Sequence, residues 1–164
     1  MVELRQPRSE PPRIAQGTAA TFIGVSARLS LVGMKEIPAF WQRFMAVYPQ
    51  IDQKLDPIPV GIVGQIDDDG SFDYACAVAV RPGSDCPKGC VVLKTAARTY
   101  GVFQHRGHVS ALGGTYHSIW NNGLCGSGWT MADAPTLERH GPCFDTLTGE
   151  GGVSIWVPVI CASA

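Results

Sequence analysis

The chain repeats itself. TAATFIGV at residues 18–25 returns as TAARTYGV at 95–102, an offset of 95 − 18 = 77 residues. Within one residue of that offset, FWQRF at 40–44 precedes YHSIW at 116–120. The strand-like FDYACAVAV at 72–80 has a later counterpart in VSIWVPVI at 153–160. Three matches in one order mark a duplicated supersecondary unit. A chain of 164 residues has room for two such units around a single core. The expected layout is a polar, proline-rich lead-in over 1–13, then one domain over 14–164. Its halves cover about 14–80 and 90–161, joined through the loop RPGSDCPKG at 81–89.

Each half reads strand, helix, strand, strand, so the expected class is α+β: two pseudo-symmetric βαββ repeats with a cleft at their junction. Ile37, Phe40, Trp41, Phe44, Val47 and Tyr48 recur at helical spacing and predict a helix over 35–50. Pro38 is tolerated in its opening turn. Leu112, Tyr116, Ile119 and Trp120 predict a second helix over 109–122, with Gly123 as its stop. Gly113 and Gly114 inside it each cost about 1 kcal/mol against Ala, which asks for a local reason. Phe72, Tyr74, Cys76, Val78 and Val80 alternate with Asp73, Ala75, Ala77 and Ala79, the period of a strand. DDDG at 67–70 supplies the hairpin turn before it. The Ala75–Ala77–Ala79 face is small and predicts close approach by a helix or a ligand.

Charged residues make up only 16% of the chain and the net charge is −1, so no basic stripe exists for direct nucleic-acid binding. No apolar run approaches the ~20 residues of a membrane span, and no signal-peptide pattern opens the chain. The expected location is therefore the cytoplasm. The six cysteines, at 76, 86, 90, 125, 143 and 161, read as plain thiols. Only CPKGC pairs two of them, and no second ligand pair stands at zinc spacing. No metal or cofactor is expected. A GxSxG elbow and a phosphate-loop pattern are both absent from the sequence.

Against this sparse charge, Glu138 in WTMADAPTLERHG stands on a brief strand among apolar and aromatic neighbours. The repeat offset lands on Gly61, so the other half has no matching acid. One reading is a solvated carboxylate paired with Arg139 or Arg98. The other is a buried acid in an aromatic cleft, tolerable when something positive or hydrogen-bonding completes it. His140, two positions on, faces the same side, either to share a proton with it or as a surface neighbour. Tyr74 needs a partner for its hydroxyl if buried. Trp41 and Trp120 lie on helices as core or pocket wall, Trp129 follows GSG as a lid or wall, and Trp156 stands on one face of the last strand.

TYGVFQHRG, TYHSIW, SGWTMADAPTLERH and GGVSIWVPV, with the hairpin GIVGQIDDDGSFDYACAVAV, together resemble the GyrI-like small-molecule-binding domain. That domain is the effector-binding module of MerR- and AraC-type regulators. The likeness spans about residues 15–160. It implies a pseudo-symmetric, SHS2-type fold with an aromatic pocket between the halves and a central Glu, here Glu138. Tyr74, Trp129, Trp41, Trp120, Trp156, Tyr116 and Phe40 are the candidate ligand-binding residues beside it. Two departures stand out: GLC at 123–125 where the family often has Trp-Leu-Pro, and His140 where it often has Tyr. With no helix-turn-helix pattern before residue 14, the expectation is a stand-alone binder of lipophilic aromatic, often cationic compounds. The resemblance also implies a hydrolase of cyclopropane-bearing electrophilic natural products, with Glu138 catalytic and Tyr74 or His140 assisting. A third implication is an effector-sensing or gyrase-modulating partner protein.

Overall fold

The computed structural model describes residues 11–30, 32–145 and 148–162. Its strands are β1 (Arg13–Gly17), β2 (Ala20–Ser30), β3 (Val60–Val63), β4 (Ser71–Val80), β5 (Val91–Thr95), β6 (Arg98–His105), β7 (Trp129–Met131), β8 (Thr136–His140) and β9 (Val153–Cys161). The helices are α1 (Ile37–Val47) and α2 (Leu112–Ser118). Residues 1–10 of the expected lead-in lie outside the described residues, and Arg13 already opens a strand.

The sheet runs β1-β6-β9-β8-β3-β4-β2-β5, all antiparallel, with β7 added to β9. Exchanging β1 with β5, β2 with β6, β3 with β8 and β4 with β9 reproduces the same order in reverse. The duplication is thus built into the sheet as a pseudo-twofold through its centre, where β3 pairs β8. The two halves also exchange their outermost strands. β1 precedes β2 in sequence yet pairs β6, while β5 precedes β6 and pairs β2.

On one face, Ile23, Val25 and Leu29 of β2 and Phe72, Tyr74, Cys76, Val78 and Val80 of β4 receive Phe40 and Phe44 of α1. Phe103, Ile155, Val157 and Val159 receive Tyr116 of α2 and Ile119 in the equivalent position. Both helices therefore lie on the same side of the sheet. The predicted alternation in β4 holds, but the small alanine face serves a different purpose. Ala75 and Ala77 lie on the helix-free side, packed with Phe22, Tyr100, Val102 and Leu137. Their size admits large side chains from neighbouring strands rather than a helix or a ligand.

The sequence alignment of the repeat also slips against the sheet. It sets Ile23 on Tyr100, yet Ile23 joins the α1 core and Tyr100 the opposite face. A one-residue shift in a strand reverses the face, so the structural offset there is 78 rather than 77.

The predicted helices are shorter than their periodic patterns. α1 is flanked by 3-10 turns at Val32–Glu36 and Tyr48–Gln50, with Pro38 in its first turn. α2 follows a 3-10 turn at Val109–Ala111 and widens into a π-turn at Ile119–Gly123. Gly123 is the last residue of that π-turn, and a β-carbon there would meet the Phe103 ring at 3.0 Å. The DDDG turn joins β3 to β4 as predicted, with Gly70 at φ +79° and Asp67 N–H donating to Ser71 O at 2.8 Å. Arg28 ties that turn to β2 through Asp67 and Ser71.

Candidate functional site

Glu138 lies on β8 directly opposite Gly61 on β3, at the pseudo-twofold itself. Its residue is 6% exposed, and its side chain points to the helix-bearing face. A β-carbon at Gly61 would stand 2.6 Å from Glu138 Oε2 and 3.2 Å from both Glu138 Cβ and the Tyr74 hydroxyl. Only one of the two symmetry-related positions can carry a side chain into this space. The asymmetry visible in the sequence is therefore a packing requirement.

Two tyrosines satisfy the acid. Tyr116 of α2 donates its hydroxyl to Glu138 Oε1 at 2.8 Å. Tyr74 of β4 donates to Oε2 at 3.4 Å, and its oxygen accepts the Trp41 indole N–H at 2.8 Å. Each half thus contributes one tyrosine. Burial raises the Glu138 carboxyl above the ordinary carboxylate range, opposed by the Tyr116 and then the Tyr74 hydroxyl. The same burial, reinforced by the nearby carboxylate, pushes both tyrosines well above their usual range, so they remain donors.

No basic side chain neutralises the acid among the described residues. Arg28 is engaged elsewhere, with Asp67 and Asp73 on the β3–β4 hairpin. Arg139 is next to Glu138 in sequence, but strand alternation sends its guanidinium to the other face, 4.4 Å from the Trp156 ring centroid. A hollow of about 200 Å³ opens above Glu138, walled by Met34, Ile37, Phe72, Tyr74, Tyr116 and Trp120. A second hollow, about 460 Å³, adjoins it. Val63, Ile66, Tyr116 and Trp120 border both. The larger hollow lacks the buried acid, and the distinctive chemistry sits in the smaller one.

The predicted site residues separate into four groups. Glu138, Tyr74, Tyr116 and Trp120 line the smaller hollow. Trp120 is 46% exposed and leans on Tyr116 with ring centroids 5.4 Å apart. Phe40 and Trp41 stand behind Tyr74, the first against its ring at 6.0 Å and the second at its hydroxyl. They support the wall without lining it.

His140 faces the same side as Glu138 but is held elsewhere. Its Nδ1 donates to Pro59 O at 3.0 Å, and its ring rests between Trp41 and Phe144. Burial lowers its pKa and keeps it neutral. The expected proton sharing with Glu138 gives way to these contacts, since both Glu138 oxygens are taken by tyrosines.

Trp129 and Trp156 are not brought to the hollow. Trp129 lies on β7, paired with Cys161 of β9, and packs on the core of the second half instead of forming a lid. Trp156 faces the opposite side of the sheet, against Tyr100 at 5.7 Å. Strand periodicity explains it: Ile155 and Val157 take the helix side and leave Trp156 to the other.

Met34, Ile66, Gly113 and His117 also belong to the wall, and none of them is among the ligand-binding residues expected from sequence. The glycine pair in α2 carried the available signal. A β-carbon at Gly113 or Gly114 would meet nothing within 4 Å, and Gly113 borders the hollow. Their cost to the helix accompanies open space rather than a tight contact.

Among the described residues no group of His, Cys, Asp and Glu is arranged to hold a metal, and no helix is long and apolar enough to cross a membrane. The described cysteines are all free.

Comparison with known proteins agrees with this architecture. The transcriptional regulator BrlR of Pseudomonas aeruginosa is 26% identical over 154 residues, which is 93% of this chain and 56% of that protein. The chain thus spans little more than half of that regulator. Among solved structures, SAV2435 bound to tetraphenylphosphonium superposes with a TM-score of 0.67 at 21% identity, covering 92% of this chain and 94% of the other. A hydrolase encoded by lin2189 from Listeria innocua superposes with a TM-score of 0.55 at 12% identity, covering 94% of each chain. These two are likenesses of fold. The sequence profile of the GyrI-like small molecule binding domain matches residues 10–160, and the chain belongs to that family.

Proposed function

We propose that this chain binds flat, lipophilic aromatic cations, with Glu138 as the counter-charge. The observation that carries the reading is the acid itself: a buried carboxylate at the floor of an apolar hollow with no cation beside it. Burying a charge without a partner is expensive, and two neutral hydroxyls offset only part of that cost. A ligand cation restores the missing half of the pair. Tyr116, Tyr74 and Trp120 supply π-surface, where each cation–π contact contributes on the order of 0.5–2 kcal/mol. The likeness to a protein captured with tetraphenylphosphonium supports the same ligand class.

Fluorescence titration with a rhodamine-type dye tests it. Saturable binding is expected, with affinity falling about thirtyfold or more in Glu138→Gln, as for removal of one member of a desolvated charge pair. Equal affinity of the two proteins for the dye contradicts the proposal.

A second reading, hydrolysis of an electrophilic compound, draws on the raised basicity of Glu138 and the convergence of Tyr116 and Tyr74 on it. A carboxylate so placed is suited to general-base activation of water. Turnover separates the readings. Catalytic loss of a cyclopropane-bearing substrate that disappears in Glu138→Gln while binding persists supports an enzyme, whereas one-to-one protection supports binding alone.

A further inference from the structure

We infer that the two adjoining hollows form one elongated site whose preferred ligands carry two positive centres, one seated on Glu138 and the other facing Asp133. This rests on the reading of Glu138 as a cation seat, and it adds the shape and charge of the ligand.

The first ground is size. The hollow above Glu138 measures about 200 Å³. Sites for drug-sized molecules run from about 300 to 1,000 Å³. A molecule whose head rests on Glu138 must therefore extend beyond that compartment. The neighbouring hollow, about 460 Å³, provides the space, and Tyr116 and Trp120 form the wall common to both. An extended ligand passes along these two rings.

The second ground is charge. The larger hollow lies between the end of β3, at Val63–Ile66, and the segment after β7. That segment makes a tight turn, with Ala134 N–H donating to Ala132 O at 3.0 Å, which sets Asp133 at its tip. Gln65 closes the far side by donating to Ala132 O at 3.3 Å. Asp133 has no ion-pair partner among the described residues, and no Lys or Arg lines either hollow. The connected space thus holds a carboxylate in each compartment and neither Lys nor Arg; the one histidine on its wall, His117, is tied through Nε2 to the Asn121 side-chain amide at 2.9 Å. Glu138 follows Asp133 by five positions, so their Cα atoms lie within about 18 Å of each other. A flexible alkyl spacer between two cationic heads covers that span.

The test compares an alkylquinolinium monocation with polymethylene-bis-quinolinium dications of increasing spacer length, using wild type, Asp133→Asn and Glu138→Gln. In wild type the best dication is expected to bind about fivefold more tightly than the monocation, the scale of one solvent-facing ion pair. That advantage should shrink with added salt. In Asp133→Asn the affinities of the two probe types should converge. Equal affinity of monocation and dications in wild type overturns the inference, as does a dication advantage that survives Asp133→Asn. Failure of the underlying reading looks different: the monocation itself then fails to bind wild type, or binds Glu138→Gln equally well.

Discussion

The two halves of this molecule share one plan and differ where they meet. On the first half, β3 brings Gly61 to the pseudo-twofold, and α1 covers its sheet with Phe40 and Phe44. On the second, β8 brings Glu138 to the same axis. Its helix is shorter, contains two glycines and opens into a π-turn beside the hollow. The first half is built to pack and the second to leave room. A duplicated scaffold gains an asymmetric site when one copy gives up a side chain so that the other can place one.

The sharpest way to break this contrast is Gly61→Ala. The added methyl would stand 2.6 Å from Glu138 Oε2 and crowd the Tyr74 hydroxyl. Overpacking of this kind costs about 1–3 kcal/mol, and the displaced carboxylate should lower cation affinity at least tenfold. Denaturant melts and dye titration check the two effects. A fully stable, fully binding variant would falsify the packing explanation for the glycine.

Glu138→Gln should stabilise the unliganded protein near neutral pH. The native carboxyl titrates above its unfolded value, so between those two values the native state holds the extra proton. Stability therefore falls as pH rises through that window and stays reduced above it. Removing the charge should raise stability by about 1 kcal/mol, or roughly 2–4 °C in Tm, at pH near 7. The gain should fade as the medium is acidified below the unfolded carboxyl value. Calorimetry across pH checks this, and a variant less stable than wild type at neutral pH counts against it.

The tyrosines sharpen the contrast further. Tyr116→Phe removes the 2.8 Å bond to Glu138 and Tyr74→Phe the 3.4 Å one. Cation binding should begin at higher pH in both, with the larger displacement in Tyr116→Phe, whose hydroxyl does more to hold the carboxyl down. Tyr74→Phe also leaves the Trp41 indole N–H without its acceptor, so it should be the more destabilising of the two. The reverse ranking in the pH profiles would show that Tyr116 is not the principal donor.

Smallest is Gly113→Ala. No atom lies within 4 Å of the added methyl, so helix propensity alone acts, a gain of up to about 1 kcal/mol. Because that methyl enters the hollow, bulky ligands should bind slightly more weakly even as Tm rises. A fall in Tm would mean that the glycine meets a conformational need.

Much of this arrangement was legible in the sequence, and the reason is periodicity. The repeat predicted two units and a junction, and its offset set Gly61 against Glu138 before the sheet made them neighbours. The alternation in β4 put Tyr74 on one face with Phe72, Cys76, Val78 and Val80, and that is the face α1 covers. What the sequence left open is decided by tertiary contacts. The exchange of β1 and β5 between halves depends on which edge each strand finds, and local pattern does not encode that. The face of Tyr100 turns on a single residue of register. His140 sits at the right parity beside Glu138, yet Pro59 and two aromatic rings take it away from the acid. Trp129 looked like a loop aromatic because β7 is too short, at three residues, to show a strand period.

The most direct measurement is the titration of the Glu138 side-chain carboxyl carbon by NMR, assigned by its loss in Glu138→Gln and followed with and without tetraphenylphosphonium. The free-protein carboxyl should titrate above the ordinary carboxylate range and fall when the cation binds. A normal value unaffected by the cation would contradict the role of Glu138 as counter-charge.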